Sequence, residues 1–182
     1  MVDEAVTSKI GETLFPDPKS NVFAILDGAS AGRPLQVMLH EHRPERQCLF
    51  RGDLAPDMLE VAPWLVELKR EHPFTKWLLS AGWGNHWGIF ALSPATLLEM
   101  RGHFSALVDV YDPDGKPLIL RYYDPRVLPV FLPTCTADEL AEVFGPVSVF
   151  MAEGEAPGTL LSFRMEEGEL RAQELRLAGP EG

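Results

Sequence analysis

Short, unbroken apolar runs punctuate this chain, and turn residues close most of them. The run over 22–26, VFAIL, is wholly apolar and meets Asp27 and Gly28, which predicts a buried strand ending in an Asp-Gly turn. Behind Pro34, a residue suited to a first helical position, Leu35, Met38 and Leu39 recur at helical spacing. RQCLFRGD predicts a second short strand closed by Gly52 and Asp53. In LEVAPWLVEL the apolar residues are too dense for periodicity to separate strand from helix. Pro63 interrupts either one, so a strand edge or bend is expected there.

A helix is expected over about 74–80, stopped by Gly82, with a loop leading to a strand over 88–92. Ser93 as N-cap and Pro94 at the first helical position predict the next helix, with Leu97, Leu98 and Phe104 on its buried side. Two apolar runs flanking Asp112, Pro113, Asp114 and Gly115 predict a β-hairpin. Thr136 followed by Glu139 is a capping-box pattern, with Gly145 and Pro146 as the stop. PVSVFMA, GTLLSFRME and ELRAQELRLA read as terminal strands over about 147–177, the last two joined across Glu167 and Gly168. Strands and helices intersperse without regular βαβ alternation. The expected fold class is therefore α+β: one domain over 1–182, a single lobe with a mixed, largely antiparallel sheet and several short helices packed on it.

Charge narrows the partners. Sixteen Lys and Arg stand against 27 Asp and Glu, a net of −11. That balance argues against nucleic acid, whose phosphates need clustered basic residues, and against adsorption to anionic membranes. No apolar run approaches the ~20 residues of a membrane-spanning helix. The acidic, polar start MVDEAVTSKIGETLF is unlike a signal peptide, so the expected location is cytoplasmic. Cys48 and Cys135 form no CxxC pair and have no histidine at metal-ligand spacing, so each reads as structural or incidental rather than as half of a disulfide.

Catalytic and cofactor motifs are missing: there is no GxSxG elbow, no Walker-type phosphate loop, no GxGxxG and no HExxH. GASAG at 28–32 follows a strand but lacks the Lys and Thr of a phosphate loop, and reads as a turn. His40 and His42 diverge if their segment is helical, and His72, His86 and His103 are scattered singly. No catalytic residue, metal or cofactor is expected. Trp77, Trp83 and Trp87 fall among glycines in KWLLSAGWGNHWGIF. They either plug a core beside a tight loop, or Trp83 and Trp87 line a protein-binding groove.

The stretch LILRYYDPRVLPVFL changes character at Asp124-Pro125. Proline disfavours helical geometry at Asp124 and ends the strand, while Pro125 is pre-shaped to start a helix. Asp124 can cap that start by accepting from the amides of Arg126 or Val127. Alternation puts Arg121 and Tyr123 on one strand face, with Leu120 and Tyr122 on the other. Arg121 or Arg126 paired with Asp124 would lock the corner; either left free would reach a partner.

FAILDGA, CLFRGDL, APWLVEL, FTKWLLSAGWGNHWGIF, LRYYDPRVL and FGPVSVF, in that order, resemble a family of bacterial effector-adaptor chaperones of type VI secretion systems, over about residues 20–151. The Tyr-Asp-Pro-Arg motif after a strand is the most specific element. The resemblance implies a non-enzymatic cytoplasmic adaptor that binds a toxin effector and helps load it onto the spike protein of the secretion apparatus. It carries Tyr123, Asp124, Pro125 and Arg126 over as the signature. Arg121, Tyr123, Asp124, Arg126, Trp83 and Trp87 are the candidate partner-binding residues. Well-described family members add a C-terminal helical lobe, where this chain reads as strands. The competing readings are a toxin-neutralising immunity or regulatory protein, and a small-ligand enzyme whose pocket gathers Arg121 or Arg126, Asp124 and a histidine.

Overall fold

The structure, a computed structural model, describes residues 4–111 and 114–177. In chain order the elements are α1 (Glu4–Leu14), β1 (Asn21–Asp27), α2 (Gly28–His42), β2 (Arg46–Cys48), α3 (Pro56–Val61), β3 (Pro63–Leu68), α4 (Pro73–Trp77), β4 (Gly88–Ser93) and α5 (Leu97–Val108). Then come β5 (Asp109–Tyr111), β6 (Pro117–Ile119), α6 (Leu128–Phe131), α7 (Ala137–Phe144), β7 (Val149–Glu153), β8 (Thr159–Glu166) and β9 (Glu169–Arg176). The chain is a single-lobe α+β fold around a seven-stranded sheet ordered β2-β3-β1-β4-β7-β8-β9, with every neighbouring pair antiparallel. The hairpin strands β5 and β6 pair with each other in a second, two-stranded sheet; Asp112 and Pro113 of the expected turn lie outside the described residues.

The unbroken apolar run of β1 has a direct cause: both faces of this central strand are covered. Val22, Ala24 and Leu26 point into one apolar layer with α1, α2, Phe74 and Trp83. Phe23 and Ile25 point into the opposite layer, which holds Met100, Phe104, Tyr122, Phe144 and Phe150. The same alternation continues through Phe90 and Leu92 against Ile89 and Ala91 on β4. At the sheet's centre β4 begins with Gly88, where a Cβ would lie 2.1 Å from the Ile25 carbonyl oxygen.

Several local expectations shift. Asp27 and Gly28 do not form a turn: Asp27 is the N-cap of α2, its Oδ1 accepting from the Ala29 amide at 3.0 Å and its Oδ2 from the Ser30 hydroxyl at 2.8 Å. GASAG is thus the first turn of that helix, which kinks at Gly32 (φ 57°, ψ −149°) and restarts with Pro34 in its new first turn. Pro63 opens an interior strand, flanked by β2 and β1, because a first strand position asks least of the missing amide. Ser93 is the last residue of β4 rather than a helix cap. Thr96 takes that role, its amide donating to Glu99 at 2.8 Å and its hydroxyl accepting the Glu99 amide at 3.4 Å. The register of α5 follows from that later start: Met100, Phe104 and Val108 are buried, while Leu98 is exposed. The Thr136–Glu139 capping box forms as the pattern predicts.

Candidate functional site

The corner at 121–128 is built by its own short-range bonds. The strand stops at Ile119, five residues before Asp124, and the Asp124 amide donates to the Arg121 carbonyl at 3.0 Å to make a turn. Strict alternation therefore fails here, and both tyrosines turn inward. Tyr122 stacks on Phe104 with centroids 5.9 Å apart, and its hydroxyl donates to the Phe104 carbonyl at 3.1 Å. Tyr123 meets Tyr122 edge-on at 5.4 Å. Burial pushes the Tyr122 phenol well above its ordinary value. It pushes Tyr123 up to about 12, with the nearby Asp27 charge adding to the rise and Arg121 opposing it.

Asp124 makes the predicted bond to the Arg126 amide, but it closes a turn rather than capping a helix: α6 starts only at Leu128, and its N-cap Val127 makes no side-chain bond. Its Oδ1 accepts the Arg126 amide at 2.9 Å, and its carbonyl accepts the amides of Val127 and Leu128 at 2.9 and 3.1 Å. The Arg126 guanidinium closes back bidentately, Nε to Oδ1 at 2.9 Å and Nη2 to Oδ2 at 2.7 Å. Burial alone would raise the Asp124 pKa, but the bonds and charge of Arg126 together hold it below the usual carboxylate range. Arg121 binds elsewhere, its Nη2 lying 3.7 Å from Oδ2 of the buried Asp27. The two arginines thus brace different acids, and each keeps a largely exposed side chain, at 50% for Arg121 and 62% for Arg126.

Each arginine also rims a depression. Arg126 lines one of about 500 Å³ with His86, Pro129, Val130, Glu153 and Leu161. Arg121 and Tyr123 line another of about 300 Å³ with Phe50, Met58 and Val61. Sequence reasoning missed Asp27, His86 and Glu153. Asp27 was legible as an N-cap ahead of a Gly-Ala-Ser helix start. Glu153 accepts the backbone amide of His86 at 3.3 Å from 67 positions away, and its Oε2 lies 3.0 Å from His86 Nδ1; no local pattern announces that contact. Burial raises the Glu153 pKa, and the His86 charge works against the rise. Arg126 and His86 do share a depression, as a ligand pocket would need, yet Asp124 is not among its lining residues, and Asp124 and Glu153 are both engaged in these internal contacts.

Of the tryptophans, Trp83 is buried and stacks on Phe90 at 6.3 Å, while the half-buried Trp87 sits 5.5 Å from Trp77. They lie in the loop that Glu153 holds through His86, not at the arginine rims. Among the described residues no group of three His, Cys, Asp or Glu side chains is placed to hold a metal ion. None of the described helices is long and apolar enough to cross a membrane.

A single-lobe α+β scaffold with a self-bonded charged corner defines the class. Residues 22–142 match the family model described as Domain of unknown function (DUF4123), and the chain belongs to this family, the effector-associated domain of type VI secretion systems. The family is associated with type VI effector adaptors. No curated protein and no solved structure matches the chain.

Proposed function

We propose that this protein is a non-enzymatic adaptor that binds a toxin effector of a type VI secretion system in the cytoplasm and helps load it onto the spike protein. Family membership supports the reading, and one observation carries it to particular residues. The signature stretch folds into a brace whose acids are internally paired, while Arg121 and Arg126 each stand at the rim of a separate depression. In this reading the arginines touch the cargo, Tyr123 and Asp124 position them, and Trp83 and Trp87 stiffen the loop that carries His86 to the rim beside Arg126. Guanidinium groups suit this role because they present several donors in a fixed fork.

The test is co-expression with the toxin encoded beside this gene, followed by size-exclusion chromatography. A stable complex that Arg121→Ala and Arg126→Ala weaken is expected. No complex with any neighbouring toxin or spike product overturns the reading. A growth-protection assay separates it from an immunity role, since only an immunity protein rescues cells from active toxin.

A further inference from the structure

Six large apolar side chains are exposed among the described residues, and four of them, Val37, Met58, Leu59 and Val61, belong to α2 and α3. Single exposed apolar residues are ordinary; a cluster on two facing elements is not. Between these helices runs an open groove of about 970 Å³. Its α2 wall is a stripe at helical spacing: Arg33, Gln36, Val37, His40 and Glu41, on the side away from the buried Leu35 and Leu39. Its α3 wall includes Glu60 and Val61.

The groove is braced. Gln36 Nε2 donates across it to the carbonyl of Glu60 at 3.2 Å. At its base the Gly28 amide donates to the Ala62 carbonyl at 3.2 Å, in a contact so close that a Cβ on Gly28 would lie 2.3 Å from that oxygen. The groove also opens toward the corner: Ala29 and Val61 line both it and the depression bearing Arg121 and Tyr123, where Met58 joins them.

We propose that this groove seats an amphipathic helical segment of a partner protein, apolar on one face and flanked by Lys or Arg; its assignment to toxin cargo rests on the adaptor reading above. Charge selects the occupant. Glu41 on α2 and Asp57 and Glu60 on α3 outnumber Arg33, α3 carries no basic residue, and the whole chain is at −11. That field attracts a basic segment and opposes a second copy of the same acidic chain. Shape agrees: α2 beyond its kink runs from residue 33 to 42, about 15 Å at ~1.5 Å per residue, enough to lie along roughly three turns of a helix. Helix-in-groove binding through i, i+3, i+4 and i+7 anchors is an established mode.

The probe is a set of three dye-labelled synthetic peptides, read by fluorescence anisotropy at 150 mM salt against the full chain. One carries a leucine stripe at helical spacing with lysine flanks, the second the same stripe with glutamate flanks, and the third the lysine composition scrambled to abolish the stripe. Saturable binding of the first alone is expected, weakened at least tenfold by Val37→Glu and by Val61→Glu, both at exposed positions of the groove lining, with thermal midpoints near wild type. Amide shift mapping on the unmutated protein provides a second readout and should place the peptide on α2 and α3. Equal binding of the three peptides, insensitivity to both substitutions, or shifts elsewhere overturns the proposal. So does a concentration-dependent dimer that Val37→Glu dissolves, which would make a second copy the occupant. A toxin complex that survives both substitutions sinks the groove and leaves the adaptor reading standing. A groove that takes the basic peptide while no neighbouring toxin binds does the reverse.

Discussion

Arg126 folds back on Asp124, two positions earlier, so that one carboxylate receives the backbone amide, Nε and Nη2 of the same residue. A side-chain bond of this kind to a turn amide is worth about 1 kcal/mol, with a range of roughly 0.5–1.5. Asp124→Ala is therefore expected to lower stability by that amount in urea denaturation at pH 7. Because folding lowers the Asp124 pKa, its contribution is complete above the unfolded value of about 3.9. It fades as pH falls through the lower folded value. The gap between wild type and variant should accordingly narrow below about pH 4; a gap unchanged down to pH 3 would show that the charge contributes nothing.

Tyr122→Phe removes only the hydroxyl that donates to the Phe104 carbonyl. The net value of such a bond is about 1 kcal/mol, and the Phe104 carbonyl keeps its place in the ladder of α5, so no larger cost is expected. Tyr122→Ala also empties a fully buried ring site against Phe104, so about 3–5 kcal/mol is expected by analogy with Phe→Ala. Guanidinium unfolding of both variants checks the ranking, and equal effects would mean that ring packing is not what seats the corner.

Gly88→Ala tests the close approach of β4 to the β1 backbone. The added methyl meets the Ile25 backbone rather than a movable side chain, so β1 and β4 must separate. Destabilisation at or beyond the upper end of the ~1–3 kcal/mol typical of overpacking is expected. Thermal melts would refute it by showing a midpoint near wild type.

Folding raises the Glu153 pKa, with burial as the leading cause. At neutral pH the fold thus carries a carboxylate less favourable than in the unfolded chain. That unfavourable contribution is full above the folded pKa and disappears as pH falls to the unfolded value of about 4.3. Wild type should gain stability relative to Glu153→Gln as pH falls from neutral toward about 4.3. The comparison is repeated in a His86→Asn background, which removes the imidazole from beside Glu153, and asparagine tolerates the positive φ of 56° at that position. A difference independent of pH would argue against a buried charge at Glu153.

The chain's layering was legible where one residue type has one physical use. An all-apolar strand at 22–26 meant burial on both faces, and Thr136 with Glu139 meant a helix start. Ser93-Pro94 misled because Thr96-x-x-Glu99, three residues on, offers a reciprocal cap and Ser93 is held in β4, donating to the Pro146 carbonyl at 2.7 Å. At the corner, alternation broke down because the strand ended before the tyrosines. The Asp124 bond to the Arg126 amide needed only its neighbours and was readable; the Asp27–Arg121 and His86–Glu153 contacts join distant segments and were not. The exposed cluster on α2 and α3 was hidden for a related reason, since no sequence pattern says which apolar residues remain uncovered after packing.

The sheet order carries one more consequence. The family match stops at residue 142, yet β7, which begins at Val149, pairs along β4 and brings Phe150 against Phe104 and Phe144. A fragment cut at the end of the matched segment would leave the whole outer edge of β4 without partners and open one apolar layer to water. The limits of sequence likeness are therefore not limits of cooperative folding here: residues beyond the match finish the core that the signature corner leans on.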